Sequence, residues 1–159
     1  MTVRTDILQE SKMVQPHPAA TQTQVVDTMI ELTRLSGLHR AIIAGGGGLE
    51  LYLALRRRGF MRVSTTATCR IPKAQHAVGL IAGQNSLQAI ETALTEISQF
   101  LSASAAIAVL IDSRESGFSL RIRTRLEQMG FRIEAGVRCQ QGFVLSAYRH
   151  GFGQMENAA

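Results

Sequence analysis

No apolar run in this 159-residue chain approaches the roughly 20 residues needed to span a bilayer. Met1 to Glu10 is mixed and polar, without the charged-then-apolar layout of a secretory signal, so a cytoplasmic protein with no membrane partner is the expectation. Cysteine is scarce. Cys69 and Cys139 show no CxxC spacing and no neighbouring His pair, which argues for two reduced thiols and against a disulfide or metal site. Lysine is scarcer still relative to charge: only Lys12 and Lys73 occur, so the net charge of +5 is almost wholly arginine. A basic balance can signal nucleic acid or an anionic membrane. Here the arginines are scattered over several segments with no aromatic residues interleaved among them in one stretch, and an arginine-for-lysine bias fits a GC-rich bacterial genome. A nucleic-acid partner is therefore not expected.

Several catalytic signatures are missing as well. No GxSxG nucleophile elbow surrounds Ser64, Ser86 or Ser113, and the glycine run lacks the Gly-Lys-Ser/Thr ending of a P-loop. His39 and His76 flank strand-like segments with no carboxylate or cysteine at helical spacing, so neither is expected to be catalytic or to bind a metal.

What is present is an α/β pattern. Apolar residues make up 45% and charged residues 18% of the chain, the balance of a globular protein, and the length suits one domain. Met1 to Thr23 has little apolar periodicity and reads as a disordered tail, residues 24–150 as a single domain, and 151–159 as a second flexible tail. Val25, Val26, Met29 and Ile30 repeat at helical spacing. The short strand Arg40 to Ala44 then meets four glycines, Gly45 to Gly48, and a helix to about Arg58 with Leu49, Tyr52, Leu53 and Leu55 as packing residues. Arg56, Arg57 and Arg58 fall in its last turn, where cations face the negative end of the helix dipole.

Met61 to Ala67 and His76 to Gly83 read as strands. Asn85-Ser86 caps a helix in which Leu87, Ile90, Leu94, Ile97 and Leu101 step by three and four. Ala105 to Ile111 is the continuous apolar run of a strand buried on both faces. A helix from near Ser116 buries Phe118, Ile122, Leu126 and Met129. From Phe131 to Cys139 the pattern changes to strict alternation, and after Gln140-Gln141-Gly142 the strand Phe143 to Arg149 returns. The fold expected is Rossmann-like α/β: a mainly parallel sheet with a C-terminal antiparallel β-hairpin and helices on both faces. The link before His76 is about eight residues and reaches roughly 28 Å at most. It can cross over the sheet without a helix, or the two strands it joins can pair as a hairpin.

Ligands bind at the carboxyl ends of parallel strands. The residues there are Gly45 to Gly48, Ser64-Thr65-Thr66, Gln84-Asn85-Ser86 and Asp112-Ser113-Arg114-Glu115. Backbone N–H groups from Gly46 to Leu49 suit a carboxylate or phosphate. Asp112 is placed either to contact a ligand or to cap the helix that follows.

From Ala41 to Arg149 the chain resembles a shortened S-adenosylmethionine-dependent methyltransferase of the Rossmann-like class, in its glycine turn after the first strand and its strand, helix, Met129-Gly130-Phe131 and terminal hairpin. The resemblance implies S-adenosylmethionine as cofactor, held by Gly45, Gly46, Gly47, Gly48, Thr65, Gln84 and Asn85. Gly45 and Gly47 match the first two glycines of the family's loop, and Leu49 takes the place of the third. Ile43 stands where the family has an acidic residue, and Ser64, Thr65 and Thr66 stand where it has the acid that holds the ribose. The segment that usually walls the adenine is nearly absent. Three functions are carried forward: an active small-molecule methyltransferase; a non-catalytic binding or assembly module with a protein partner, as a homodimer for example, which the missing acids favour; and, as the weakest, a basic binder of nucleic acid or another anion.

Overall fold

The computed structural model describes residues 18–84, 86–111, 117–140 and 142–149. In chain order these form α1 (Pro18–Thr33), β1 (Ala41–Ala44), α2 (Gly48–Arg57), β2 (Val63–Thr65), β3 (His76–Gln84), α3 (Leu87–Ser98), β4 (Leu101–Ile111), α4 (Phe118–Gln128), β5 (Phe131–Arg138) and β6 (Phe143–Arg149). The strands make one six-stranded sheet in the order β2-β1-β3-β4-β6-β5. Its first four strands are mutually parallel, and β6 pairs antiparallel with both β4 and β5. This is the expected Rossmann-like α/β arrangement, with the terminal hairpin inserting β6 beside β4. Of the expected tails, residues 1–17 and 150–159 lie outside the described residues, while α1 begins at Pro18, ahead of Gln24 where the periodicity starts. Proline is at home there, because a first-turn N–H has no intrahelical acceptor to lose.

Strand alternation divides the core in two. Ile42 and Ala44 of β1 point to one face, where Ile90, Leu94 and Ile97 of α3 and Ile122 and Leu126 of α4 pack. Ala41 and Ile43 point to the other, against Val26 and Met29 of α1 and Leu51 and Leu55 of α2. The open choice at the short link is resolved as a crossover. Both β2 and β3 lie parallel to β1, on its two sides, and residues 66–75 pass between them without a helix. The link runs on the α3 face, where Cys69 joins the core and the Ala74 N–H donates to the Gln99 carbonyl. The step from β1 to β2 uses α2 on the opposite face. Moves in opposite directions across a sheet must use opposite faces to keep one hand.

Three packing expectations shift. The helix after the glycines buries Gly48, Leu51, Ala54 and Leu55, while Leu49 and Leu53 are 66% and 41% exposed. Its apolar stripe starts from Gly48, one position before the leucine that sets the expected phase. The stripe of α3 ends at Ile97, and Leu101, expected as its last member, is instead the first residue of β4, paired with His76. It is still buried: the apolar position was legible, but not the helix end before it. The strand expected over Met61 to Ala67 contracts to Val63–Thr65.

Candidate functional site

The parallel strands end in a groove built around the glycine turn. Gly45 leaves β1 with φ 105°, a backbone conformation that any residue with a Cβ adopts at a cost. The turn closes when the Gly48 N–H donates to the Gly45 carbonyl at 3.2 Å. Gly47 is the N-cap of α2 and supplies no side-chain cap. The first-turn N–H groups of an α-helix have no intrahelical acceptor; here that of Gly48 is taken by the turn, and that of Leu51 already donates to the Gly47 carbonyl at 3.2 Å.

The four glycines serve different purposes. Gly45 and Gly46 line a groove of about 520 Å³. Gly47 and Gly48 instead allow close packing: a Cβ on Gly47 would lie 3.2 Å from the Ala82 Cβ, and one on Gly48 3.3 Å from Ile43 Cγ2. The glycine run thus reflects a helix start pressed onto β1 and β3 as much as a ligand site.

The opposite wall of the groove is α3, presenting Ser86, Ala89, Thr92 and Glu96, with Gln88 and Ala93 between them. Ser86 caps this helix as expected, its side chain accepting from the Ala89 N–H at 3.1 Å. Thr66 closes the end of the groove, and its hydroxyl donates to Glu96 Oε1 at 3.2 Å. The volume lies within the usual range of about 300–1,000 Å³ for small-molecule sites. Its chemistry is mixed: small residues and backbone at the turn, two hydroxyls along the wall and a third at the end, and one carboxylate from Glu96.

Of the residues expected to contact a cofactor, Gly45 and Gly46 line the groove, whereas Gly47 and Gly48 take the packing positions above. Thr65 is not among the lining residues. It pairs with Ile43 and its hydroxyl meets that of Thr68 at 2.9 Å. Strand alternation turns it to the α2 face, and Thr66, the next residue, takes the place at the groove. Gln84 ends β3, with its backbone opposite Ile111. Asn85 and Asp112 lie outside the described residues.

Glu96 was missed by sequence reasoning. It sits in the last turn of α3, and its contact at the groove is with Thr66 after β2, far from it in sequence. The available signal was the i, i+4 series Gln88, Thr92, Glu96 running beside Ala89 and Ala93, a polar row next to small residues on one side of an otherwise apolar-faced helix. Among the described residues no group of three His, Cys, Asp or Glu side chains is placed to hold a metal ion, and no helix is long and apolar enough to cross a membrane.

The chain has the fold of S-adenosylmethionine-dependent methyltransferases. No protein-family model matches the sequence, and no curated protein matches it either. Solved structures do. The chain is similar to the [4+2]-cyclase SpnF, with a TM-score of 0.57 at 15% identity over 80% of this chain and 81% of that one. It is similar to a ribosomal protein L11 methylase from Lactobacillus delbrueckii subsp. bulgaricus, with a TM-score of 0.55 at 12% identity over 80% and 78%. A third is the 1,6-didemethyltoxoflavin-N1-methyltransferase of Burkholderia thailandensis, solved with S-adenosylhomocysteine, at a TM-score of 0.53 and 13% identity over 82% and 79%. At these identities the likeness speaks for the fold.

Proposed function

We propose that the groove between the Gly45-Gly46 turn and α3 binds S-adenosylmethionine, and that the protein is a methyltransferase acting on a small molecule. The observation that carries this reading is the meeting of Gly45, Gly46, Thr66 and Glu96 around one groove of about 520 Å³ at the carboxyl edge of the sheet. The cofactor is an amino acid joined to a nucleoside, and the donor set fits both parts. Main-chain N–H groups at the start of α2 suit its carboxylate. The Glu96 carboxylate, presented by Thr66, suits ribose hydroxyls, and a charge-assisted bond of that kind is about twice as strong as a neutral one. It offers the acid that the end of β2 lacks. The bound cofactor supplies an electrophilic methyl group. The protein's part is to orient the cofactor and to hold an acceptor in line with it.

The reading of a non-catalytic module draws on a different feature. Leu49 and Leu53 stand exposed one turn apart on α2, an apolar strip beside the rim. Leu49 does not fill the groove, however, and the rim stays open.

Isothermal titration with S-adenosylmethionine and S-adenosylhomocysteine tests the proposal. Micromolar binding that weakens about tenfold, or about 1.4 kcal/mol, in Glu96→Ala supports it. Absence of heat at millimolar ligand with the folded parent protein overturns it and leaves the module reading.

A further inference from the structure

The two residues with nucleophilic or titratable chemistry that sequence spacing left unpartnered, Cys69 and His76, meet in the fold. His76 opens β3 and is 1% exposed. Its own N–H donates to the Phe100 carbonyl at 3.0 Å, and its Nδ1 lies 3.2 Å from the same oxygen. A carbonyl only accepts, so Nδ1 carries a proton, and in a neutral imidazole Nε2 is then a bare acceptor. The Phe100 ring stands edge-on to the imidazole, 6.2 Å between centroids at 86°, and holds its plane. Burial holds the imidazole pKa below its ordinary value; the bond to the Phe100 carbonyl works the other way, and the charge of Arg40 adds a smaller push in the direction of burial. The ring is therefore neutral at neutral pH.

The bare Nε2 faces sulfur: Cys69 Sγ lies 3.8 Å away. A second neighbour of that sulfur, the Ile71 carbonyl at 3.8 Å, is also an acceptor. A thiol flanked by acceptors points its proton at one of them, and Nε2 is the basic one. Three parts of an activated nucleophile are thus in place: a thiol, a base within reach, and a third group that fixes the base's tautomer. Cys69 is half-buried rather than sealed.

We propose that Cys69 is a reactive thiol with His76 as its proton acceptor, and that the pair takes hydrogen peroxide as substrate, forming a sulfenic acid on Cys69. The Cys69 sulfur attacks one peroxide oxygen; the S–O bond forms as the O–O bond breaks. The thiol proton passes to His76 Nε2 and from there to the departing hydroxide, which leaves as water. The cysteine is oxidised by two electrons and the peroxide is reduced. Such a product is reversible by thiols. Cys139 is no resolving partner, since it is buried in the core on the opposite face of the sheet, with its Sγ 3.7 Å from the Thr28 hydroxyl. It serves instead as an internal control. The pair uses none of the residues that line the groove, so it does not depend on the function proposed there.

The full-length protein is treated with hydrogen peroxide in the presence of dimedone, and each cysteine peptide is quantified by mass spectrometry. The expected result is dimedone on Cys69 and not on Cys139, formed about tenfold or more faster than on free cysteine at pH 7, and slowed about tenfold or more in His76→Gln. Because His76 is buried, its replacement also disturbs packing, and the unaltered protein supplies a second readout. Alkylation of Cys69 by iodoacetamide should level off below pH 7, where His76 Nε2 becomes free to take the proton, whereas a thiol with no base beside it climbs tenfold per pH unit up to about 8.5. Reaction no faster than free cysteine, a profile climbing to pH 8.5, or a folded His76→Gln protein reacting at the parent rate would each overturn the proposal.

Discussion

Thr66 Oγ1 lies 3.2 Å from Glu96 Oε1, and this bond joins the end of β2 to the later turns of α3 across the candidate groove. No helix lies between β2 and β3. Here the ten-residue link leaves one wall open, and the Thr66–Glu96 contact is the polar tie in its place. Glu96 is exposed, so replacing it by Gln should change stability by less than about 0.5 kcal/mol. Ligand affinity should respond more, because the amide keeps an acceptor and loses the charge. A drop of about fivefold to tenfold in S-adenosylmethionine affinity, with an unchanged melting temperature, is the expected pair of results from titration and calorimetry.

The glycines offer a sharper separation of roles. Gly45 holds φ 105°, so Gly45→Ala should destabilise the protein by about 1–2 kcal/mol through backbone strain alone. Gly79 has another reason to be glycine. It lies in β3 beneath α3, where an added Cβ would stand 3.0 Å from Leu101 Cδ2 and 3.2 Å from Ile97 Cδ1. Overpacking of that kind costs about 1–3 kcal/mol. Urea titration of Gly79→Ala should show that loss, and ligand binding in the same variant should be preserved, since Gly79 is remote from the groove. Equal loss of stability and of binding at both sites would contradict this division.

Arg149, the last described residue of β6, ties three elements together. Its Nη1 donates to the carbonyls of Leu101 at 3.0 Å and Ser102 at 3.3 Å, its Nη2 to that of Ser98 at 3.4 Å, and the guanidinium stands 4.8 Å over the Phe131 ring. The Ser98 carbonyl belongs to the last turn of α3, where a cation also meets the negative end of the helix dipole. Arg149→Ala should cost about 2–4 kcal/mol, from charge-assisted bonds at about 1.5–3 kcal/mol together with the ring contact. Arg149→Lys should recover less than half of it, because an ammonium cannot fork to several carbonyls while lying flat on a ring. Thermal unfolding of the two variants checks the order.

Much of the fold was legible because each segment carries one dominant period. The run from Ala105 to Ile111 specifies a strand buried on both faces, and the alternation from Phe131 specifies one with a wet side. Ser86 followed by Leu87, Ile90, Leu94 and Ile97 fixes both the start and the buried face of α3. What failed was phase and termination. Leu49 and Leu53 fit a helical stripe as well as Leu51 and Leu55 do, and only the sheet decides which stripe is buried. Leu101 continues the period of α3 by chance of position. The site was half legible. A glycine turn announces itself, yet Glu96 reaches the groove through a helix–link contact 30 residues apart in sequence, and no local pattern encodes that distance. Cys69 and His76 meet for the same reason: the link between them is neither helix nor strand, so their separation of seven carries no geometric meaning.

His76 also makes stability depend on pH, with a definite sign. Its folded-state pKa is lowered, chiefly by burial, so the native protein resists binding the proton that the unfolded chain accepts near pH 6.5. Between that value and the lower native pKa the unfolded state carries more protons, and stability therefore rises with pH across the window. The contribution is complete above about pH 7, declines as pH falls through about 6.5, and is fully lost only once the native imidazole is itself protonated. Urea midpoints measured from pH 8 down to pH 5 should fall accordingly. In His76→Gln, where no proton can be taken up at this position, the decline attributable to the window should disappear even if the whole curve is displaced downward by the lost packing. A variant whose midpoint falls as steeply as the parent's would assign the pH dependence to other groups.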